Sequence, residues 1–255
     1  MFGLKTFTVY LACVVCVMVN SSHGSEIIGG KEVTPHSLRY MAFLEASCGG
    51  TLIHPQWVLT AAHCTGIEKV FLGVHSIKNM DKNSVQVRRV VKAFPHPWYD
   101  DNVKENDLML FKLNKPVQRT KTVQWLSLQK AVADPADGTS CMAAGWGETN
   151  ENAAKPKMSD VLMSVNVTVV NRKDCNNRYS YRPITKNMVC AGSKGKKKTD
   201  TCQGDSGGPL ICNGVQVGVT SFGGKCGDPK KPGVYAFLSK MQLKWIENVM
   251  NRSDA

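Results

Sequence analysis

No segment of this sequence is long and apolar enough to cross a bilayer. Its one sustained apolar run, Phe7 to Val19, has 13 residues, whereas a helix across a hydrocarbon core of roughly 30 Å needs about 20. Metal-binding patterns are missing as well. Of the 10 cysteines, Cys13 and Cys16 lie in that run. The eight beyond it contain no Cys-x-x-Cys pair, and no two of the 6 histidines stand in a His-x-x-x-His spacing. The common zinc frameworks are thereby excluded. Acid is scarce: 20 Asp and Glu face 32 Lys and Arg, a net charge of +12. After residue 26 there is no low-complexity linker and no short-period repeat, which excludes solenoids and long disordered tails.

What is present describes a secreted globular chain. Lys5, the short apolar run and the small residues around Ser22-His23-Gly24 have the layout of a secretory signal, cleaved after Gly24. Residues 1–24 are thus expected to be removed. Eight cysteines remain (Cys48, Cys64, Cys141, Cys175, Cys190, Cys202, Cys212 and Cys226). An even count in an oxidising compartment argues for four disulfides, with on the order of a hundred pairings formally open. Hydrophobic residues at 42% and charged residues at 20% suit a packed core. The first 26 residues carry one Lys and one Glu, so their removal leaves +12 unchanged. Lys194, Lys196, Lys197 and Lys198 concentrate the surplus, with Lys225, Lys230 and Lys231 further on. Such a surface is either a solvated loop or a binding site for sulfated glycosaminoglycans and proteoglycans.

Short apolar or alternating runs recur: Tyr40–Glu45, Gly50–Ile53, Trp57–Ala61, Lys69–Leu72, Val85–Val91, Leu108–Leu113, Ser140–Gly145, Leu162–Val169, Gly207–Ile211, Val215–Ser221 and Gly233–Leu238. Most are strand length and bounded by turn residues, the pattern of an all-β barrel or sandwich. Only the end is strongly helical, with Leu243, Ile246, Val249 and Met250 at helical spacing.

Three stretches carry chemistry. Thr60-Ala61-Ala62-His63-Cys64 follows a strand-like run, Asn106-Asp107-Leu108 opens another, and Gly204-Asp205-Ser206-Gly207-Gly208-Pro209 reads as a tight turn. A serine hydroxyl is a poor nucleophile without a neighbouring base, and histidine has a suitable pKa. The histidine in turn needs a buried carboxylate to fix its tautomer. His63, Asp107 and Ser206 supply these three types in the order His, Asp, Ser, which chymotrypsin-type hydrolases use. Glycines about Ser206 let the loop turn the N–H groups of Gly204 and Ser206 towards a developing oxyanion.

From Ile27 to about residue 250 the chain resembles the trypsin-like serine proteases. Ile27-Ile28-Gly29-Gly30, Leu59 to Cys64, Asp107-Leu108, Gly145-Trp146-Gly147, Gly204 to Pro209, Ser221-Phe222-Gly223 and Pro232-Gly233-Val234-Tyr235 carry that resemblance. It implies two six-stranded antiparallel β-barrels with the site between them and a C-terminal helix, residues 27–255 forming one protease domain. It also implies the disulfides Cys48–Cys64, Cys141–Cys212, Cys175–Cys190 and Cys202–Cys226. That leaves no cysteine for a second chain, so a monomer is expected. A freed Ile27 ammonium is implied to pair with Asp205. Asp200, six residues before Ser206, is implied to floor a pocket walled by Ser221, Gly223 and Gly233. A carboxylate there would select Lys or Arg in protein and peptide substrates. Protein inhibitors are implied as further partners.

Glu26 departs from digestive trypsins, whose precursors carry Lys or Arg at that point. The acidic dipeptide Ser25-Glu26 is similar to the propeptides of granule proteases of immune cells. Ile27 to Ser37, Val219 to Gly223 and Lys225 to Pro229 resemble the granzyme A and K group. Storage in immune-cell granules is therefore expected. Only Asp81 is acidic between Leu72 and Val87, too little oxygen charge for the calcium loop of trypsins, so neither a metal nor a cofactor is expected. Asn166-Val167-Thr168 and Asn251-Arg252-Ser253 match the glycosylation sequon. The rival reading is an inactive cationic binding protein on the same fold.

Overall fold

The computed structural model describes residues 28–45, 48–148, 157–193 and 199–253. The signal segment, the activation dipeptide, Ile27 and the Lys194 to Lys198 cluster lie outside the described residues. The described residues form thirteen strands and two helices. After β1 (Lys31–Glu32), six strands close a first antiparallel barrel. These are β2 (Met41–Leu44), β3 (Cys48–His54), β4 (Trp57–Thr60), β5 (Lys69–Leu72), β6 (Gln86–Pro95) and β7 (Met109–Leu113), in the order β2-β3-β4-β7-β6-β5. The second barrel uses β8 (Ser140–Gly145), β9 (Met163–Val170), β10 (Met188–Gly192), β11 (Pro209–Cys212), β12 (Val215–Phe222) and β13 (Gly233–Phe237). Pairing of β8 with β9 closes this ring, and β1 is added to the outer side of β9. Two helices complete the chain, α1 (Arg172–Arg178) and α2 (Lys240–Ser253).

Each barrel closes because its strands present bulky apolar groups inward. Leu44, Leu52, Val58, Leu72, Phe111 and Leu113 fill the first, and Val165, Val167, Leu210, Val217 and Tyr235 the second. Each fully buried aliphatic side chain stabilises by about 1.5–3 kcal/mol. Closure pairs the end strands of each ring with one another, so neither six-stranded ring has an edge strand. A third cluster (Val33, Met41, Val74, Ala144, Trp146 and Leu162) seams the barrels together. Leu243 and Ile246 of α2 pack on the first barrel, although the helix follows the last strand of the second. The C-terminus therefore straps the two halves together.

The observed strands match most of the runs read from sequence, and β5 and β8 have the same bounds. Two strands and one helix were not foreseen. β1 has only two residues. β10 is five residues, Met-Val-Cys-Ala-Gly, all buried between β9 and β13. It shows no alternation because both of its faces are covered. α1 begins at Asn171, whose side chain accepts from Lys173 N–H, and buries only Cys175, so it lacks an apolar stripe. Four disulfides join Cys48–Cys64, Cys141–Cys212, Cys175–Cys190 and Cys202–Cys226. The third of these ties α1 to β10.

Candidate active site

The site is assembled where the loops of the two barrels meet. His63 lies just beyond β4, in a turn held by Cys64 N–H donating to Ala61 O and by the Cys48–Cys64 disulfide. Asp107 precedes β7 and is fully buried. Its Oδ1 accepts the His63 backbone N–H at 3.0 Å, and its Oδ2 lies 2.7 Å from His63 Nδ1. The Ser221 hydroxyl, from β12 of the other barrel, donates to the same Oδ2 at 2.5 Å. A carboxylate can only accept, so Nδ1 carries the proton, and in the neutral ring Nε2 is left as a bare acceptor.

Ser221 was read from sequence as a wall of the specificity pocket. It does line the cavity, but its hydroxyl is committed to Asp107. Sequence reasoning also missed the anchor of Asp107. Asn106 holds a left-handed backbone, φ 52°, which costs a non-glycine residue energy. Its amide donates to Trp98 O at 2.9 Å. Its Oδ1 accepts from Gln242 Nε2 at 3.0 Å and Asn187 Nδ2 at 3.3 Å. Asn187 and Thr185 also donate to Glu105. Nothing in the local sequence marks Gln242, 136 positions away, as a partner of this turn.

Ser206 stands in a loop whose shape requires glycine on either side. Gly204 has φ +94° and Gly207 φ +80°. A side-chain carbon on Gly207 would lie 2.1 Å from Thr60 Oγ1 and 2.4 Å from Gly49 O. The Ser206 carbonyl accepts from Gly49 N–H at 2.7 Å, which sets the loop against the disulfide beside His63. Among the described residues no hydrogen bond joins His63 Nε2 to the Ser206 hydroxyl, and the N–H groups of Gly204 and Ser206 have no protein acceptor.

A cavity of 460 Å³ opens next to Ser206, lined among others by Thr201, Ser221, Gly223 and Gly233. Asp200 lies behind this lining. A side-chain carbon on Gly233 would stand 3.1 Å from Asp200 Oδ1. Asp200 Oδ2 accepts from Gly227 N–H at 3.0 Å, while Oδ1 is buried without a partner. Burial pushes this carboxyl up to about 7, against the lowering effect of its backbone hydrogen bonds. Asp205 is fully buried; Gly147 N–H donates to its Oδ1 at 2.8 Å and Cys202 N–H to its Oδ2 at 2.9 Å. Burial pushes it up to about 6. The Ile28 carbonyl accepts from Asp200 N–H at 3.2 Å, so the chain just after Ile27 is docked beside these acids.

Two closed antiparallel barrels with a buried acid–imidazole pair at their junction define the class: this is the chymotrypsin fold. The trypsin family matches residues 27–246, and the chain belongs to that family of serine proteases. It is 46% identical over 231 residues to granzyme A of Bos taurus, covering 88% of each chain. Granzyme B(G,H) of Mus musculus is 41% identical over 92% of this chain and 96% of its own. Kallikrein-4 of Homo sapiens is 40% identical over 97% and 96% respectively. Among the described residues no helix is long and apolar enough to cross a membrane.

Proposed function

We propose that this chain is a secreted or granule-stored serine endopeptidase that cleaves peptide bonds after Lys or Arg. The observation that carries the reading is the buried, half-satisfied Asp200 carboxylate set behind the cavity that holds Ser206. A long cationic side chain entering that cavity supplies the missing partner, and a neutral one leaves the carboxylate unpaired.

The chemistry follows the family template. Ser206 Oγ attacks the scissile carbonyl while His63 Nε2 takes its proton, and Asp107 stabilises the imidazolium. The N–H groups of Gly204 and Ser206 receive the oxyanion, each contributing about 3–4 kcal/mol in the transition state. The tetrahedral intermediate then collapses, His63 protonates the leaving amine, and water repeats the sequence on the acyl-enzyme. No cofactor is required.

Activation follows from the state of Asp205. Removal of Ser25-Glu26 frees the Ile27 ammonium, which pairs with a carboxylate that burial alone disfavours. Retention of the dipeptide leaves the precursor inactive, and a tryptic enzyme does not cleave after Glu26, so it does not activate itself. Asn166 on β9 and Asn251 on α2 are both exposed, which suits glycan attachment. The enzyme works as a monomer.

The test uses protein beginning at Ile27, assayed on substrates ending in Arg, Lys, Phe, Leu, Ala or Asp beside Ser206→Ala. Cleavage confined to Arg and Lys and abolished in the variant is expected. Cleavage after Phe or Leu would discard the role of Asp200, and no cleavage by folded protein would move the reading to a cationic binding protein.

A further inference from the structure

A second cationic feature adjoins the cavity. Arg178, at the end of α1, Pro229, Lys230 and Lys231 line a surface recess of 550 Å³. Three of its four lining residues are cationic. Arg178 donates to Pro229 O at 3.1 Å, which couples α1 to the loop before β13. Lys231 Nζ stands 4.9 Å from the Tyr181 ring and 6.0 Å from that of Tyr179. Arg182 lies 4.6 Å over the Phe222 ring. Stacking of this kind holds a cationic head in place without neutralising it. Among the described residues none of Arg178, Arg182, Lys230 and Lys231 is in an ion pair. Acids close in sequence are Asp228, whose Oδ1 accepts the Lys230 backbone N–H, and the exposed Asp174 on α1.

The recess adjoins the substrate cavity. Phe222, beneath Arg182, lines that cavity, and so does Gly224, whose side-chain position is occupied by Lys231 at 2.6 Å. Tyr181 is 61% exposed in the middle of the cluster, offering apolar contact between the charges. From this we propose that Arg178, Lys230 and Lys231, with Arg182, form an exosite for an acidic segment of the protein substrate whose Lys or Arg fills the cavity. The inference rests on the proposed specificity and adds to it a substrate class, a basic cleavage point flanked by acid. A sulfated glycan would meet the same cations, but the closeness of Lys231 to Gly224 of the cavity and the exposed aromatic favour a peptide chain.

The experiment compares single-Arg peptides of equal length with three Glu before the Arg, three Glu after it, or Gln at all those places. Wild-type protein and an Arg178→Gln/Lys230→Gln variant are assayed at low and high salt. Wild type is expected to favour one Glu peptide over the Gln peptide by about tenfold in kcat/KM at low salt, and to lose most of that at high salt. The variant is expected to lose the preference while cleaving the Gln peptide at the wild-type rate, which also shows that it is folded. Equal rates on all three peptides would overturn the proposal, as would a preference kept in the variant. Weaker retention of the variant on immobilised heparin, with peptide preference intact, would reassign the surface to glycans. If wild type does not cut the Gln peptide after Arg at all, it is the proposed specificity that fails. A variant that does not fold leaves the wild-type salt dependence as the deciding measurement.

Discussion

Asp107, Asp200 and Asp205 are the most deeply buried carboxylates around this site, and the chain treats the first of them unlike the other two. Asp107, from the first barrel, receives three donors from the protein itself: His63 N–H, His63 Nδ1 and the Ser221 hydroxyl. Asp200 and Asp205, from the second barrel, are as deeply buried but less well served. Among the described residues, one oxygen of Asp200 has no partner and each oxygen of Asp205 accepts a single backbone N–H. Burial pushes these two up to about 7 and about 6. An acid completed within the chain is a permanent fixture. In the proposed function, an acid left short is the socket for a cation from elsewhere, whether a substrate side chain or the ammonium of a new N-terminus. On that reading the acid carried by the first barrel belongs to the part of the site finished on folding, with help from Ser221 of the second, and the two acids of the second barrel to the part that takes a ligand.

The largest effect should come from breaking the finished part. Asp107→Asn keeps the shape but has one acceptor oxygen where the carboxylate has two; with that oxygen on the His63 backbone N–H, an NH2 group faces Nδ1 and His63 loses its Nδ1–H tautomer. The substitution is expected to lower kcat about 10⁴-fold, with KM on an Arg substrate little changed. Steady-state kinetics on one Arg substrate checks both. A loss below about tenfold would mean that the Asp107–His63 bond is structural only.

Asp200→Ser breaks the other kind of acid. Removal of one partner of a desolvated charge pair costs roughly 2–5 kcal/mol, so kcat/KM for Arg substrates should fall by about 10²–10³. Substrates ending in a neutral residue should improve, since no buried charge is then left unpaired. The variant should also be no less stable than wild type when no ligand is bound, in contrast to changes around Asp107.

A pH titration sharpens the contrast without mutation. A carboxyl whose folded value is raised favours the folded state while protonated. That contribution is complete below the unfolded value of about 4 and is lost as pH rises through the folded value. For Asp200 the loss extends to about pH 7. A bound cation reverses the preference, because it needs the ionised form. Affinity for benzamidine, a compact amidinium, should therefore be flat above about pH 7 and fall towards tenfold per unit below it. A flat inhibition profile from pH 5 to 8 would show that the amidinium does not meet Asp200.

How much of this could be read beforehand depended on whether the signal was local. The runs that became β5 and β8 alternate or are bounded by turns, and their bounds were legible to the residue. His63, Asp107 and Ser206 stand out because each sits in a string with few other uses. β10 was not legible, because its burial comes from β9 and β13, two segments distant in sequence. α1 was missed because a helix that buries only Cys175 has no stripe to detect. The hydroxyl of Ser221 was expected at a pocket wall, and its direction, towards an acid 114 positions earlier, is a property of barrel docking. The same holds for Asn106, whose side-chain partners come from the loop at Trp98, the segment before β10 and the C-terminal helix.

That last set gives the smallest expected effect and the closest test of how the finished half is held. Gln242 is buried in α2, and its amide donates to Asn106 Oδ1, beside Asp107. Gln242→Met keeps the volume and removes the donor, leaving Asn106 Oδ1 with the longer bond from Asn187 alone. The cost in unfolding free energy should be about 1–2 kcal/mol, the usual consequence of leaving a buried acceptor partly unsatisfied. Since Asn106 sets the backbone from which Asp107 projects, kcat should fall by about two- to fivefold. KM for Arg substrates and benzamidine affinity should not move, because the Asp200 side of the site is untouched. A purely structural role for Gln242 would lower stability with kcat intact. A fall in benzamidine affinity would mean that the two halves are coupled through α2, and that the division between a finished and a waiting half does not hold.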